Sequence, residues 1–230
     1  MRFPRYLIFF SITLSSVFVA TGNSIISDFS NDLEGWEPLN PWLRSSVEGL
    51  TEGDFYMRMP VGINAGNKGS KLIAFNPTND WTGNFVEKGV TGVSLNFANW
   101  SESDPVYLRI AISNLANPQQ SGGTWWASST PIYFAPESGW GTASFQINEL
   151  SMQRVGNLTG ELGLDTFEDT LSDIKGFRIL SSTLGYGAIG DEFYGFVGMD
   201  NIQLITIPEP SFIASLFTIL VLTCVLKRDS

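Results

Sequence analysis

Apolar and polar residues alternate with a period of two along much of the chain. Val93, Leu95 and Phe97 are separated by Ser94 and Asn96. Because successive side chains of a β-strand point to opposite faces, this pattern predicts strands with one face on a core. The same alternation runs through residues 106–113, 143–147 and 177–179, and further candidate strands stand at 43–47, 55–60 and 72–75.

Clusters of Gly, Asn, Pro and Ser interrupt these segments at short intervals. Such residues favour turns, so the candidate strands are short and numerous. The fold class predicted is all-β, a two-sheet jelly-roll sandwich formed by one domain. The clusters occupy residues 64–69, 76–83, 114–123 and 136–141.

One short helix is expected within this sandwich. Asp165 and Glu168 have the spacing of a capping box, in which two residues three apart satisfy each other's backbone amides. The helix that this box would open covers residues 166–172.

The C-terminal segment is typical of a membrane span. Residues 212–226 carry no charge, and Lys227 and Arg228 follow them directly. The run is shorter than the roughly 20 residues that cross a bilayer, and the residues before it extend it towards that length. Basic residues mark the cytoplasmic side, so a single transmembrane helix with its end inside the cell is predicted.

The N-terminal segment is typical of a secretory signal peptide. Arg2 and Arg5 precede an apolar stretch over residues 6–20, and small residues follow it. We expect cleavage near residue 22, with an uncleaved N-terminal anchor as the alternative. The predicted domains are therefore a signal peptide at 1–22, a β-sandwich at 23–206 and a C-terminal signal at 207–230.

The tail resembles the PEP-CTERM sorting signal of exported Gram-negative bacterial proteins. Pro208, Glu209 and Pro210 precede the apolar run, and Lys227 with Arg228 closes it. The tail departs from the family pattern because its apolar run lacks Gly and an acidic residue follows the basic pair. The resemblance implies an exosortase-type processing enzyme as partner. It also implies an anchored stage in the cytoplasmic membrane, followed by transfer to the cell surface or extracellular matrix.

The charge of the chain excludes some partners. The formal net charge is −10, and four of the 13 basic residues but only two of the 23 acidic ones lie in the two ends. The body between them is therefore more acidic than the whole chain. Such a body repels nucleic acid and attracts cations, so no nucleic-acid partner is expected.

The lack of histidine narrows the available chemistry. The chain contains no His, and its single Cys, Cys224, lies in the apolar tail. Catalysis by Ser-His or Cys-His pairs and zinc sites of the Cys/His type are excluded, and the body has no disulfide. Carboxylate chemistry and cation sites with oxygen ligands remain.

The body also resembles the galactose-binding-like jelly rolls of carbohydrate-binding modules. Asp28-Phe29 with Gly35-Trp36 opens it, and Asp200-Asn201-Ile202 closes it. The resemblance implies that the first and last strands lie side by side in one sheet.

Asp28 and Asp200 are candidate ligands of a structural calcium ion. Asp200 shares strand parity with Ile202 and Leu204, so in a regular strand it faces inward with them and needs a partner. Asp28 lies at the expected neighbouring strand, and calcium takes six to eight oxygen ligands. The alternative is that Asp200 caps a turn or accepts hydrogen bonds from backbone amides.

Three of the seven Trp residues are candidate sugar-stacking platforms. Trp125 and Trp126 are adjacent, so on a strand they point to opposite faces and one is free to be exposed. Trp100 stands at a predicted strand end among polar residues. Aromatic faces pack on sugar rings, whereas the alternative is that these rings fill the core.

Three functions follow in order of preference. The first is a non-catalytic structural or adhesive protein of the surface or biofilm matrix. The alternative is a carbohydrate-binding module for exopolysaccharide. A glycan-cleaving enzyme, which needs two facing carboxylates, is disfavoured because acidic pairs in so acidic a chain are usually solvated. We therefore expect no enzymatic activity.

Overall fold

The alternating segments form short antiparallel strands in this computed structural model. It describes residues 25–38, 43–61, 71–117, 122–157, 160–185 and 189–207. The strands are β1 (Ile26–Ser27), β2 (Glu37–Pro38), β3 (Leu43–Ser45), β4 (Tyr56–Val61), β5 (Ile73–Phe75), β6 (Val90–Asn99), β7 (Val106–Ser113), β8 (Trp125–Ser128), β9 (Ile132–Phe134), β10 (Ser138–Gln146), β11 (Met152–Val155), β12 (Gly176–Ser181) and β13 (Gly195–Thr206), with one helix, α1 (Phe167–Ser172), among the described residues.

These strands make two antiparallel sheets. Sheet I has the order β10-β6-β13-β4-β3, and β1 also pairs with β13. Sheet II has the order β11-β8-β7-β12-β5-β2, and β9 also pairs with β7. The prediction of an all-β fold with one short helix is confirmed, and the two sheets are consistent with a jelly-roll sandwich.

The hydrophobic core lies between the two sheets. Alternate residues of each strand enter it, as the period of two in the sequence predicts. Sheet I contributes side chains such as Met57, Phe97 and Met199, and sheet II contributes Ile110 and Phe177. The opposite residues of each strand therefore form the outer faces of the sandwich.

The outer face of sheet II carries a second apolar cluster. Trp125, Ala111, Leu180 and Ile73 belong to it, and all four are buried. Sheet II is consequently buried on both faces along β7, β8 and β12. A strand buried on both faces need not alternate in polarity, so its pattern does not show which face packs on the main core.

The helix starts one residue later than its predicted capping box. Thr166 is the N-cap, and its hydroxyl oxygen accepts a hydrogen bond from the amide of Asp169 at 3.1 Å. The Asp169 carboxylate in turn accepts from the Thr166 amide. The box therefore uses Thr166 and Asp169, and the predicted pair Asp165 and Glu168 is wrong by one position. The Asp165 carboxylate instead binds other side chains, described by their hydrogen bonds in sheet II.

The first and last strands are neighbours. Ile26 pairs with Gln203, and Ser27 pairs with Ile202. A β-bulge then interrupts β13 at Asn201, which has a φ of 48°. The bulge inserts one residue and reverses the parity of the strand.

The bulge corrects the predicted orientation of Asp200. Met199, Ile202 and Leu204 enter the core, and Asp200 pairs with Asn96 on the opposite face. Asp200 therefore points to the outer face of sheet I, and not inward with Ile202 and Leu204. Its side chain is nevertheless only 1% exposed.

The predicted signal peptide at 1–22 and the sorting signal with Pro208, Glu209, Pro210, Lys227 and Arg228 lie outside the described residues. Within the described ranges, no helix has the length and apolar character needed to cross a membrane.

Candidate functional site

A depression lies on the outer face of sheet I, near its β3 edge. Met57, Met59 and Val61 of β4 enter the core, so Arg58 and Pro60 point outward. The depression has a volume of about 320 Å³. Its lining residues, which define the Arg58 depression, are Leu43, Arg44, Ser45, Arg58, Pro60 and Phe196.

The walls of the Arg58 depression are apolar and accessible. Leu43 is 60% exposed and Phe196 is 37% exposed. Strand register places them there, because Leu43 pairs with Arg58 and Phe196 pairs with Pro60. Exposed apolar side chains in a concave site offer the kind of surface on which the C–H faces of a ligand pack.

The Arg58 guanidinium is held between aromatic rings. Its Cζ lies 4.7 Å from the ring centre of Phe196 and 5.8 Å from that of Trp100. Its Nη2 lies 3.9 Å from Oε2 of Glu48. Its Nε is buried and has no hydrogen-bond partner. A donor in this state can accept a ligand oxygen without giving up an existing bond.

An aromatic cluster lies behind the depression. The rings of Trp100, Trp140 and Tyr56 contact one another with centroid separations of 5.1–5.6 Å. Both indoles cover Gly198, where an added Cβ would lie 2.7 Å from Trp100 and 2.8 Å from Trp140. Glycine at this position therefore lets the rings lie flat against the central strand of sheet I.

The aromatic cluster also fixes the segment between β3 and β4. The Tyr56 hydroxyl donates to the carbonyl of Val47 at 2.5 Å, and Nε1 of Trp140 donates to the carbonyl of Glu48 at 2.9 Å. Burial raises the pKa of Tyr56, so its hydroxyl stays a hydrogen-bond donor at neutral pH. These bonds give one rim of the depression a defined position.

Trp125 and Trp126 do not provide the exposed platform expected from the sequence. Trp125 is 0% exposed and Trp126 is 7% exposed. Trp126 faces the main core, where it packs edge-on against Phe167 at 5.1 Å. Trp125 lies in the second cluster on the outer face of sheet II, with the guanidinium of Arg178 at 4.7 Å. The expectation of one exposed ring is wrong because both faces of this sheet are covered.

Trp100 is half-buried, and its stacking role stays a prediction. The structure places it behind Arg58 and against Trp140, so part of its surface is already in contact. Arg58 and Phe196 were not identified from the sequence. The alternation of Met57, Met59 and Val61 was the available signal, because it places Arg58 on the outer face of a strand.

The predicted calcium ligands lie near each other but bind the local chain. The Asp28 carboxylate accepts hydrogen bonds from the amide and hydroxyl of Ser30, at 2.9 and 2.6 Å. These bonds hold the pKa of Asp28 below its usual value. The Asp200 carboxylate accepts from the amide and side chain of Asn201, at 2.7 and 3.2 Å. Both residues thus match the alternative of hydrogen bonds to backbone amides.

Asp200 is surrounded by negative charge. Burial raises its pKa to about 7, and the nearby carboxylates of Asp54 and Asp28 raise it further against the hydrogen bond from Asn201. An unpaired carboxylate in such a setting is stabilised by taking up a proton.

A metal site does not follow from this arrangement. The part of the chain that the structure describes contains no group of three or more His, Cys, Asp or Glu side chains that could hold a metal ion. The donors shown for Asp28 and Asp200 fall short of the six to eight oxygens of calcium. The calcium ion stays a prediction.

Comparison with known proteins gives structural neighbours only. No family model matches the sequence, and no curated protein matches it. The solution structure of CtCBM11 is 17% identical, covering 83% of this chain and 99% of that chain, with a TM-score of 0.49.

Two other solved structures are similar at the same level. A family 11 carbohydrate-binding module from Clostridium thermocellum, in complex with a β-1,3-1,4-mixed-linked tetrasaccharide, is 16% identical over 81% of this chain and 97% of that chain, with a TM-score of 0.45. The agarase AgWH50C is 13% identical over 80% of this chain and 25% of that chain, with a TM-score of 0.45. Identities and TM-scores this low carry no conclusion about what the present chain binds.

Proposed function

We propose that this chain is an exported, non-catalytic protein whose β-sandwich binds polysaccharide through the Arg58 depression. The observation that carries the proposal is a concave site with exposed apolar walls and a guanidinium that has an unpartnered donor. Sugar rings present C–H faces and hydroxyl oxygens together, so they match apolar walls combined with a few fixed donors. An adhesive or structural role at the cell surface follows from such binding.

The composition of the site supports binding without catalysis. Glycoside hydrolysis needs two carboxylates that face each other across the bond to be cleaved. None of the six lining residues of the Arg58 depression is acidic. The chain also has no His to act as a neutral-pH base.

Polysaccharide binding is tested by Phe196→Ala. The variant loses the exposed ring of the depression, and we expect its affinity for the bound polysaccharide to fall about five-fold, since a sugar–aromatic contact contributes roughly 1 kcal/mol. Biolayer interferometry with the full chain in mild detergent on immobilised polysaccharides measures this. Tyr133→Ala is the matched control, because Tyr133 is 57% exposed on β9 of the other sheet. Unchanged affinity in Phe196→Ala, or an equal loss in Tyr133→Ala, would contradict the assignment of the site.

Export rests on the order of motifs at the two ends of the sequence. The apolar N-terminal segment, Pro208-Glu209-Pro210, the uncharged run and Lys227-Arg228 occur in the order of an exosortase substrate. Changing the three residues of the triplet to Ala is expected to leave full-length protein in the membrane of a host that has the matching exosortase. Immunoblots of membrane and secreted fractions would show this. Normal processing of the triple variant would mean that the triplet is not a recognition signal.

A further inference from the structure

The Arg58 depression is locally basic on a strongly acidic protein. The chain has 23 acidic and 13 basic residues, for a formal net charge of −10. In contrast, two of the six residues that line the depression are Arg and none is acidic. Without such a local positive site, a protein of this charge repels acidic polymers. The depression is therefore the place where the charge of the surface favours an anion.

Arg58 and Arg44 differ in how their donors are used. Arg44 donates from Nε to the carbonyl of Phe29 at 2.6 Å and from Nη2 to the carbonyl of Ser30. Its guanidinium thus holds the backbone near β1. Arg58 instead has a buried Nε without a partner, and its separation of 3.9 Å from Glu48 exceeds hydrogen-bond length. Arg58 is the guanidinium of this depression with capacity for a ligand.

Ring contacts orient the Arg58 guanidinium. Phe196 and Trp100 lie 4.7 and 5.8 Å from its Cζ, a range in which cations interact with aromatic faces. A planar fork held in this way loses little freedom when it binds, and it matches the two oxygens of a carboxylate. Charge-assisted bonds of this type are about twice as strong as bonds to neutral hydroxyls.

We infer that the Arg58 depression selects polysaccharides that carry acidic groups, with Arg58 as the residue that binds the anionic group. This inference rests on the proposed polysaccharide binding and adds the class of ligand. The apolar walls of Leu43, Pro60 and Phe196 pack on the sugar ring while Arg58 pairs with its carboxylate or sulfate.

The test compares ligands that differ only in charge. Biolayer interferometry with the full chain in mild detergent measures affinity for polygalacturonate and for its methyl-esterified form, which has the same backbone without the carboxylate charges. Dextran sulfate and dextran form a second pair, so the two arms distinguish carboxylate from sulfate. We expect the acidic member of at least one pair to bind at least ten-fold more tightly than the neutral member.

Variants of Arg58 connect this selectivity to the residue. Arg58→Gln is expected to remove the ten-fold preference, and Arg58→Lys is expected to keep only part of it, because an ammonium group cannot form the two-pronged bond. Arg154→Gln is the matched control and should leave the preference unchanged. Its guanidinium also lies near a ring, 5.2 Å from that of Trp126, and its donors bind the carbonyls of Gly163 and Asp165.

The outcomes separate the two proposals. Equal binding of neutral and acidic polymers, with Phe196→Ala weakening both, would overturn acidic selectivity and leave polysaccharide binding intact. A preference that survives in Arg58→Gln, or that disappears equally in Arg154→Gln, would also overturn the role of Arg58. A correctly folded protein that binds none of the four polymers would overturn both proposals.

Discussion

Replacing Trp81 with Ala is expected to lower the free energy of unfolding by about 3–5 kcal/mol, because it removes a large, fully buried side chain and leaves a cavity. Trp81 is 1% exposed. Its ring lies 5.0 Å from that of Trp36 and 5.1 Å from that of Phe177, so one substitution removes contacts with two aromatic neighbours. Urea denaturation of the full chain in mild detergent, followed by circular dichroism, measures the change.

A matched control for Trp81→Ala makes the same side-chain change elsewhere. Trp140 is half-buried in the aromatic cluster of sheet I, so Trp140→Ala is expected to cost less, roughly 1–2 kcal/mol. The comparison holds residue type constant and varies burial. If the two variants lost equal stability, the placement of Trp81 in the main core would be wrong.

Asp200→Asn is expected to change how stability depends on pH. The pKa of Asp200 is raised from 3.8 to about 7 in the folded protein, so between these values the folded state binds more protons than the unfolded state. Stability contributed by this group is therefore full below pH 3.8 and is lost as the pH rises towards 7. An amide does not titrate, so at pH 8 the variant should be more stable than the parent by on the order of 2–4 kcal/mol.

Urea midpoints of both proteins from pH 4 to pH 8 measure this difference. The stability of the parent should fall across that range more steeply than that of the variant. Parallel curves would contradict a raised pKa at Asp200. Repeating the series with calcium and with a chelator adds a second readout, because a cation bound beside Asp200 would compensate its charge and flatten the curve of the parent.

Period-two alternation predicted much of the fold correctly. The predicted strand 106–113 coincides with β7, and segments 93–97 and 143–147 lie within β6 and β10. In these strands one face meets the core and the other meets solvent or polar groups, so polarity records the geometry directly. Trp81 escaped this reasoning because it lies in a turn-rich stretch that closes one end of the core.

Two misplaced predictions have local structural causes. The parity argument for Asp200 failed because Asn201 forms a bulge, and one inserted residue transfers a side chain to the other face. The argument for Trp125 and Trp126 failed because β8 is buried on both faces. Neither a bulge nor a second covering layer leaves a periodic signal in the strand that contains it.

The candidate site combines predictable and unpredictable parts. The outward orientation of Arg58 follows from its neighbours Met57 and Met59. Its proximity to Phe196 depends on the register between β4 and β13, two strands that are far apart in sequence. Short-range patterns contain no information about that register.

The position of β13 determines the order in which the domain can fold. Gly195–Thr206 is the last strand in sequence, yet it lies in the middle of sheet I and pairs with β1, β4 and β6. The hairpins β3–β4 and β6–β10 can form early, but they cannot join until this strand emerges. Long-range pairing of this kind is slow and leaves unpaired strand edges exposed in the meantime. The net charge of −10 then has a kinetic use, because mutual repulsion keeps incomplete chains from associating through those edges.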